Sequence, residues 1–200
     1  MNQAVDLALG RKAVLAVIDM QRLFAEKTAW QVPAAIDVLP NVLRLAGRHP
    51  DRVLFTRFMT PARPEDAPGA WAAFYRRWPS VTRDQLAPDM LGLVPALAAL
   101  VPPGEVCDKT TFSGFDSGTL ADSVGSRGAD TLILAGAETD QCVLATALSA
   151  VDRGYRVVIA KDAVASQSPA AHRAMLEAVF PRMAPLVQVA ATDAILAAWV

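Results

Sequence analysis

The chain alternates short, unbroken apolar runs with longer stretches of helical period. Residues 13–18 are all apolar and stop at Asp19. Six apolar residues in a row, without polar alternation, predict a strand buried on both faces. Pro33 then opens a helical segment carried by Val38, Val42 and Leu45 and closed near Gly47. Residues 52–57 predict a second strand, and Val106 and Cys107 a short third one that leads into Asp108 and Lys109. Residues 120–127 predict a helix with Gly128 as its C-terminal cap. Further strands are expected at 131–136, 155–160 and 186–189, and helices at 139–151, 169–180 and 193–199. Strands of this kind separated by helices imply a mostly parallel sheet covered on both faces. Right-handed crossovers then give a three-layer α/β/α fold of Rossmann-like topology, as one domain over residues 1–200.

Residues 59–89 break the alternation. The segment is rich in Pro, Arg and aromatic residues and has no strand pattern. A connection this long in a compact fold covers a site or forms an interface. Its aromatics, Trp71, Phe74, Tyr75 and Trp78, fall at helical spacing (i, i+3, i+4, i+7) and have two readings: packing on the body or a second subunit, or walling a pocket.

Composition narrows the classes of function. Of the 200 residues, 53% are hydrophobic and 20% charged, which fits a globular chain with a sizeable core. A formal net charge of −1 gives no electrostatic footprint for nucleic acid or an anionic membrane, and Arg76–Arg77 is too short to make one. No apolar run is long enough to span a bilayer, and the N-terminal stretch with Asp6 lacks a leader pattern. Two cysteines, Cys107 and Cys142, make no disulfide framework, so a reducing cytoplasm is the expected setting. There is no G-x-G-x-x-G after the first strand, and no nucleotide cofactor is expected.

In open parallel sheets, ligands bind beyond the carboxyl ends of the strands. That rule selects Asp19, Lys109 and the turn from Gly136 to Cys142, each of which follows a predicted strand. With Thr139 as N-cap, Cys142 falls in the first helical turn, where free amides and the helix dipole favour an anion. Such a thiol is expected to ionise more readily than a free one, near pH 8.5. The alternative is a buried cysteine packed as a small hydrophobe, which is the better reading for Cys107 inside its apolar strand. Asp19 read alone is equally a turn-forming residue, and Lys109 read alone a surface lysine. Together they are an acid/base, a cation and a nucleophile, the parts of an activated-thiol site.

Val17-Ile18-Asp19-Met20-Gln21, then residues 109–115 (Lys-Thr-Thr-Phe-Ser-Gly-Phe), then residues 136–143 (Gly-Ala-Glu-Thr-Asp-Gln-Cys-Val) resemble the three signatures of the isochorismatase-like cysteine hydrolases. The likeness runs from about Ala13 to about Asp162. It implies a catalytic triad of Asp19, Lys109 and Cys142, and a cis peptide at Ala137–Glu138. It also implies an oxyanion hole from the amides of Glu138 and Cys142, and assembly into homodimers or homotetramers. Nicotinamidases of this superfamily carry a metal site built on an Asp-x-His pair after the second strand. Here that stretch reads Thr56-Arg57-Phe58-Met59-Thr60, so no metal is expected. His49 and His172 lie on predicted helix ends, far apart in sequence, and read as solvated or capping residues. Isochorismatases proper, which cleave a vinyl ether, commonly lack the cysteine, so Cys142 favours C–N cleavage.

For a small-molecule substrate, Phe24 and Phe115 are placed by chain position to line the pocket, with Trp71 from the aromatic segment. Arg57, at a strand end, suits a substrate carboxylate or a salt bridge within the fold. Glu138 suits a substrate amide or solvent. The leading expectation is a metal-independent hydrolase of a small amide, ureido or carbamoyl compound acting through a thioester. An ester or enol-ether hydrolase, or a silent binding or redox-sensing protein, are the alternatives.

Overall fold

The computed structural model describes Leu7 and residues 9–200; Asp6 and its neighbours in the leader reading lie outside the described residues. Strand β1 (Ala13–Ile18) is buried at every position, and β4 (Thr131–Ala137) likewise. Beside them run β2 (Val53–Phe58), β3 (Glu105–Lys109), β5 (Arg156–Ala165) and β6 (Val187–Ala190). All pairings are parallel, in the order β3-β2-β1-β4-β5-β6. The chain starts in the middle and winds outward first one way, then the other. The reversal falls between β1 and β4, which makes their carboxyl ends the crevice of the sheet.

The helices are α1 (Arg22–Ala25), α2 (Ala35–Arg48), α3 (Ala70–Arg77), α4 (Pro95–Ala98), α5 (Leu120–Ser126), α6 (Leu144–Asp152), α7 (Pro169–Ala174) and α8 (Thr192–Ala198). They cover both faces of the sheet. Helix α2 buries Ala35, Val42, Leu45 and Ala46 as one stripe and packs on β5 and α8. Helix α5 lies against β2 and β3, and α6 against β5. Among the described residues, no helix is long and apolar enough to cross a membrane.

One strand outruns its expected length. The sequence pattern ends β5 at Ala160 because Lys161 and Asp162 interrupt the apolar run, yet the strand continues to Ala165. Its register against β4 jumps between Leu134 and Gly136, so the polar residues ride in an irregularity of the ladder. Asp162 uses it. Its Oδ1 accepts from the Thr192 amide and hydroxyl, both at 2.8 Å, and fixes the start of α8.

Gly136 is what lets β1 and β4 meet at their carboxyl ends. It sits at φ +102°, and a Cβ there would lie 2.1 Å from the Ile18 carbonyl oxygen. Only glycine combines that conformation with that approach.

Candidate active site

Asp19 leaves β1 in the left-handed region, at φ +50°, a conformation that aspartate tolerates better than most residues. The turn directs its carboxylate across the crevice toward β2. There the Thr56 hydroxyl donates to Asp19 Oδ1 at 2.5 Å, while the Asp19 amide donates to Thr56 Oγ1 at 3.1 Å. Gln21 fixes the same strand end: its Oε1 accepts from the Phe58 amide at 2.7 Å and its Nε2 donates to the Leu91 carbonyl at 2.8 Å.

Lys109 ends β3 two strands away, and its stem spans the gap. Its ammonium lies 2.7 Å from Asp19 Oδ2, donates to the Thr111 carbonyl at 3.0 Å and to Cys142 Sγ at 3.4 Å. It also sits 4.4 Å from the centre of the Phe58 ring. Burial works against the Lys109 charge, but Asp19 and Cys142 outweigh it and hold the ammonium above its ordinary range. The three side chains are almost sealed, at 0% exposure for Asp19, 1% for Lys109 and 6% for Cys142.

Cys142 differs from the sequence expectation in two ways. The chain turns out of β4 through Glu138, which occupies the N-cap position, and forms a turn of π-helix over Thr139–Val143 before α6. Thr139 is buried instead, and its hydroxyl is hydrogen-bonded to His172 Nδ1 at 2.9 Å. Nor is the thiol poised to ionise. Burial pushes it above its ordinary range; Lys109 pulls it down and Asp19 adds to the rise. The Lys109–Asp19 ion pair thus lies beside a thiol that burial favours in its neutral form. Alkylation of Cys142 by iodoacetamide, followed on its own tryptic peptide, is expected to keep climbing through pH 9. A plateau near pH 8 would show a thiol that the pair activates at rest.

A cavity of about 260 Å³ opens over the thiol. Its walls are aromatic, with Phe24, Trp30, Phe58, Phe74, Trp78 and Phe112; its polar groups are Arg77, Glu138, Gln141 and Gln167. A second cavity, of about 320 Å³, lies behind α3 and is lined by Trp71, Tyr75, Thr60 and Arg83 among others. The aromatic stripe packs on the body, with Tyr75 buried and Trp71, Phe74 and Trp78 against the core, and it also walls cavities. Phe74 and Trp78 face the thiol cavity, Trp71 and Tyr75 the second one, and the helix divides the two.

Phe24 is the expected lining residue that the structure sets against the thiol cavity. Arg57 goes elsewhere, because neighbouring strand residues point to opposite faces. Thr56 and Phe58 face the site, so Arg57 faces away and makes a two-pronged pair with Asp108, at 2.7 and 2.8 Å. Arg57→Ala is expected to leave kcat/KM within about twofold and stability within about 1 kcal/mol, as for other exposed pairs; steady-state kinetics and urea unfolding check it. Trp71 lines only the second cavity of the two. Phe115 turns to the far end of α6, stacks on Tyr155 at 5.9 Å and lies beneath Arg153.

Sequence reasoning missed Trp30, Phe58, Phe112 and Arg77. Phe58 ends a strand and Phe112 sits inside the lysine motif, so the strand-end rule had the means to find both. Trp30 comes from a connection without a periodic signal, while Arg77 lies within the helical-period aromatic segment, whose reading rested on its aromatics alone. Glu138 lines the cavity half-buried, with Oε2 accepting from the Gln167 amide at 2.7 Å and Oε1 from Gln141 at 3.3 Å. Burial raises its carboxyl above the usual range. Cys107 is buried in β3, against the Ser123 hydroxyl. His49 ends α2 edge-on to Trp199 at 4.9 Å. The Ala137–Glu138 peptide is cis. Among the described residues, no group of three or more His, Cys, Asp or Glu side chains is placed to hold a metal ion.

A doubly wound parallel sheet with carboxylate, ammonium and thiol gathered at its reversal point defines an α/β protein with its chemistry at the carboxyl edge. Comparison with known proteins specifies the class. The isochorismatase domain model matches residues 13–191. A probable inactive nicotinamidase of Arabidopsis thaliana is 31% identical over 171 residues, covering 82% of this chain and 86% of the relative. The maleamate amidohydrolase of Pseudomonas putida is 30% identical over 179 residues, covering 85% of this chain and 80% of the relative. The crystal structure of a cysteine hydrolase from Pseudomonas syringae matches with a TM-score of 0.79 at 24% identity, over 94% of this chain and 92% of that one. The chain belongs to the isochorismatase family of hydrolases.

Proposed function

We propose that the protein hydrolyses a small amide, of the carboxamide, ureido or carbamoyl kind, through a thioester on Cys142. One observation carries the reading: the Lys109 ammonium lies within hydrogen-bonding reach of both the Asp19 carboxyl and the Cys142 sulfur, and Cys142 lines an aromatic-walled cavity. The similarity to a maleamate amidohydrolase supports amide rather than ester or enol-ether cleavage.

As the substrate carbonyl arrives, Asp19 takes the Cys142 proton and the sulfur forms a bond to the carbonyl carbon. Lys109 stabilises the sulfur anion during transfer. The amides of Glu138 and Cys142 receive the developing oxyanion, a contribution of about 10² to 10³ in rate per donor in comparable sites. Asp19 returns its proton to the leaving nitrogen as the C–N bond breaks, and ammonia or an amine departs. A water molecule then adds to the thioester and gives its proton to Asp19. The C–S bond breaks, the acid leaves, and the sulfur recovers the proton. Thr56 and Lys109 hold the Asp19 carboxylate in place through both halves.

A panel of small amides and ureides tests this. Rapid quenching is expected to give a burst of ammonia or amine equal to the enzyme, with the Cys142 peptide heavier by the acyl group. Turnover that survives Cys142→Ala and leaves no adduct would overturn it.

A further inference from the structure

The turn that carries Cys142 is tied to a second helix by its own first residue. Thr139 opens the π-helical turn and is fully buried. Its hydroxyl has one partner among the described residues, Nδ1 of His172, at 2.9 Å. His172 sits in the first turn of α7, where its amide donates to the Ser168 carbonyl at 2.9 Å. The Ser168 side chain caps that turn by accepting from the Ala171 amide at 3.2 Å. Asp140, the next residue of the nucleophile turn, accepts from the Ser166 hydroxyl just before α7. His172 thus has a fixed base from which to hold Thr139. A solvated or capping role leaves that contact unexplained.

Burial sets the direction of the hydrogen bond. A hydroxyl sealed from water needs an acceptor for its hydrogen, and among the described residues the imidazole supplies the only one. Nδ1 then carries a lone pair, and the proton of the neutral ring is on Nε2. Protonation of Nδ1 sets two donors against each other: the Thr139 oxygen can still accept, but its own hydrogen is stranded in the interior. Burial holds the imidazole below its ordinary range; Asp140 on the facing turn opposes this, and Arg173 on α7 adds to it. Near neutral pH the ring is uncharged and the contact is closed.

We propose that His172 is a positioning residue of the nucleophile turn: its neutral form locks Thr139, and with it Cys142, and its protonation releases them. This rests on the reading of Cys142 as nucleophile and adds a control by acid to that site. In the opened turn the ring titrates near its ordinary value, about 6.5. The folded contact prefers the neutral ring, so the lock is complete above that pH and weakens as pH falls below it.

Hydrogen exchange of the peptide spanning residues 138–144, corrected for intrinsic exchange and read by mass spectrometry, tests the lock without a substrate. In the wild type, protection is expected to fall about tenfold from pH 7.5 to pH 5, as for one stranded buried group. His172→Ala is expected to show about the same tenfold loss already at pH 7.5. His172→Asn keeps an acceptor near the place of Nδ1 and takes up no proton. It is expected to match the wild type at pH 7.5 and to stay flat to pH 5. Peptides of α2 report global unfolding and are expected to hold steady; should His172→Ala unfold, the wild type and His172→Asn decide. A flat wild-type profile, a fall that α2 shares, or a loss in His172→Asn at pH 7.5 overturns the proposal. On any amide whose turnover requires Cys142, kcat is expected to fall about tenfold further in the wild type than in His172→Asn over the same range, with KM alike. Equal falls in kcat overturn the proposal and leave the amidase reading standing. A pH-dependent lock with no turnover of any amide removes the amidase reading and leaves the lock.

Discussion

Asp19→Asn is expected to slow turnover by about 10³-fold, within the range for loss of a general base, while Cys142 becomes more reactive toward iodoacetamide. The two changes run in opposite directions because Asp19 acts on the thiol in two ways. Its carboxylate is the proton acceptor during attack, and the amide of asparagine cannot replace it. At rest the same negative charge disfavours a second anion beside it, adding to the burial that already holds the thiol neutral. Removing the charge leaves the Lys109 ammonium without its 2.7 Å partner, and the nearest group able to supply an anion is Cys142 Sγ at 3.4 Å. The ion pair re-forms with sulfur, and the thiol pKa falls. Because Asp19 is fully buried, the substitution also costs about 3 kcal/mol in urea unfolding, the lower end for breaking a buried pair. Equal or slower alkylation in the variant, measured from pH 6 to 9 on the Cys142 peptide, would show that Lys109 and Cys142 do not couple as described.

The second large effect is on the scaffold. Gly136→Ala places a methyl 2.1 Å from the Ile18 carbonyl oxygen and 2.7 Å from the Ile18 nitrogen, at a φ of +102° that side chains rarely adopt. Neither contact is with a flexible side-chain end that can swing aside; both are with the backbone of β1. Relief requires β1 and β4 to part at the crevice, one residue before Asp19 and one before Ala137. Backbone strain and overpacking together give an expected loss of about 2–6 kcal/mol. Urea unfolding measures it, and a midpoint within error of the wild type would show that the strands have room. Gly125→Ala on α5 is the matched control, since a Cβ there meets nothing within 4 Å.

The parts of the fold legible in the sequence were those written as continuous apolar runs. Strands β1 and β4 lie within a residue of their expected bounds because nothing polar interrupts them, and β2 follows closely. The second half of β5 was hidden by Lys161 and Asp162, which no local rule separates from a loop. The site was legible at the level of strand ends: Asp19, Lys109 and Cys142 each follow a strand, and the winding of the sheet brings those ends together. The state of the thiol was not legible, because a helix start suggests an acidic cysteine and only the packing reveals how completely it is buried. The cavity wall was least legible. Its residues come from five separate connections or strand ends, and strand parity alone turns Arg57 away from it.

The coordination of Lys109 has a consequence for how the site meets its substrate. Its ammonium donates to Cys142 and the Thr111 carbonyl, lies 2.7 Å from Asp19 Oδ2 and has an aromatic face beside it. At 1% exposure, it has almost no contact with solvent. A cation held this way has already given up its hydration shell in the folded ground state, so charge moving from carboxylate to sulfur finds its counter-charge in place. The reorganisation that water would perform during the reaction has been completed in advance, by folding.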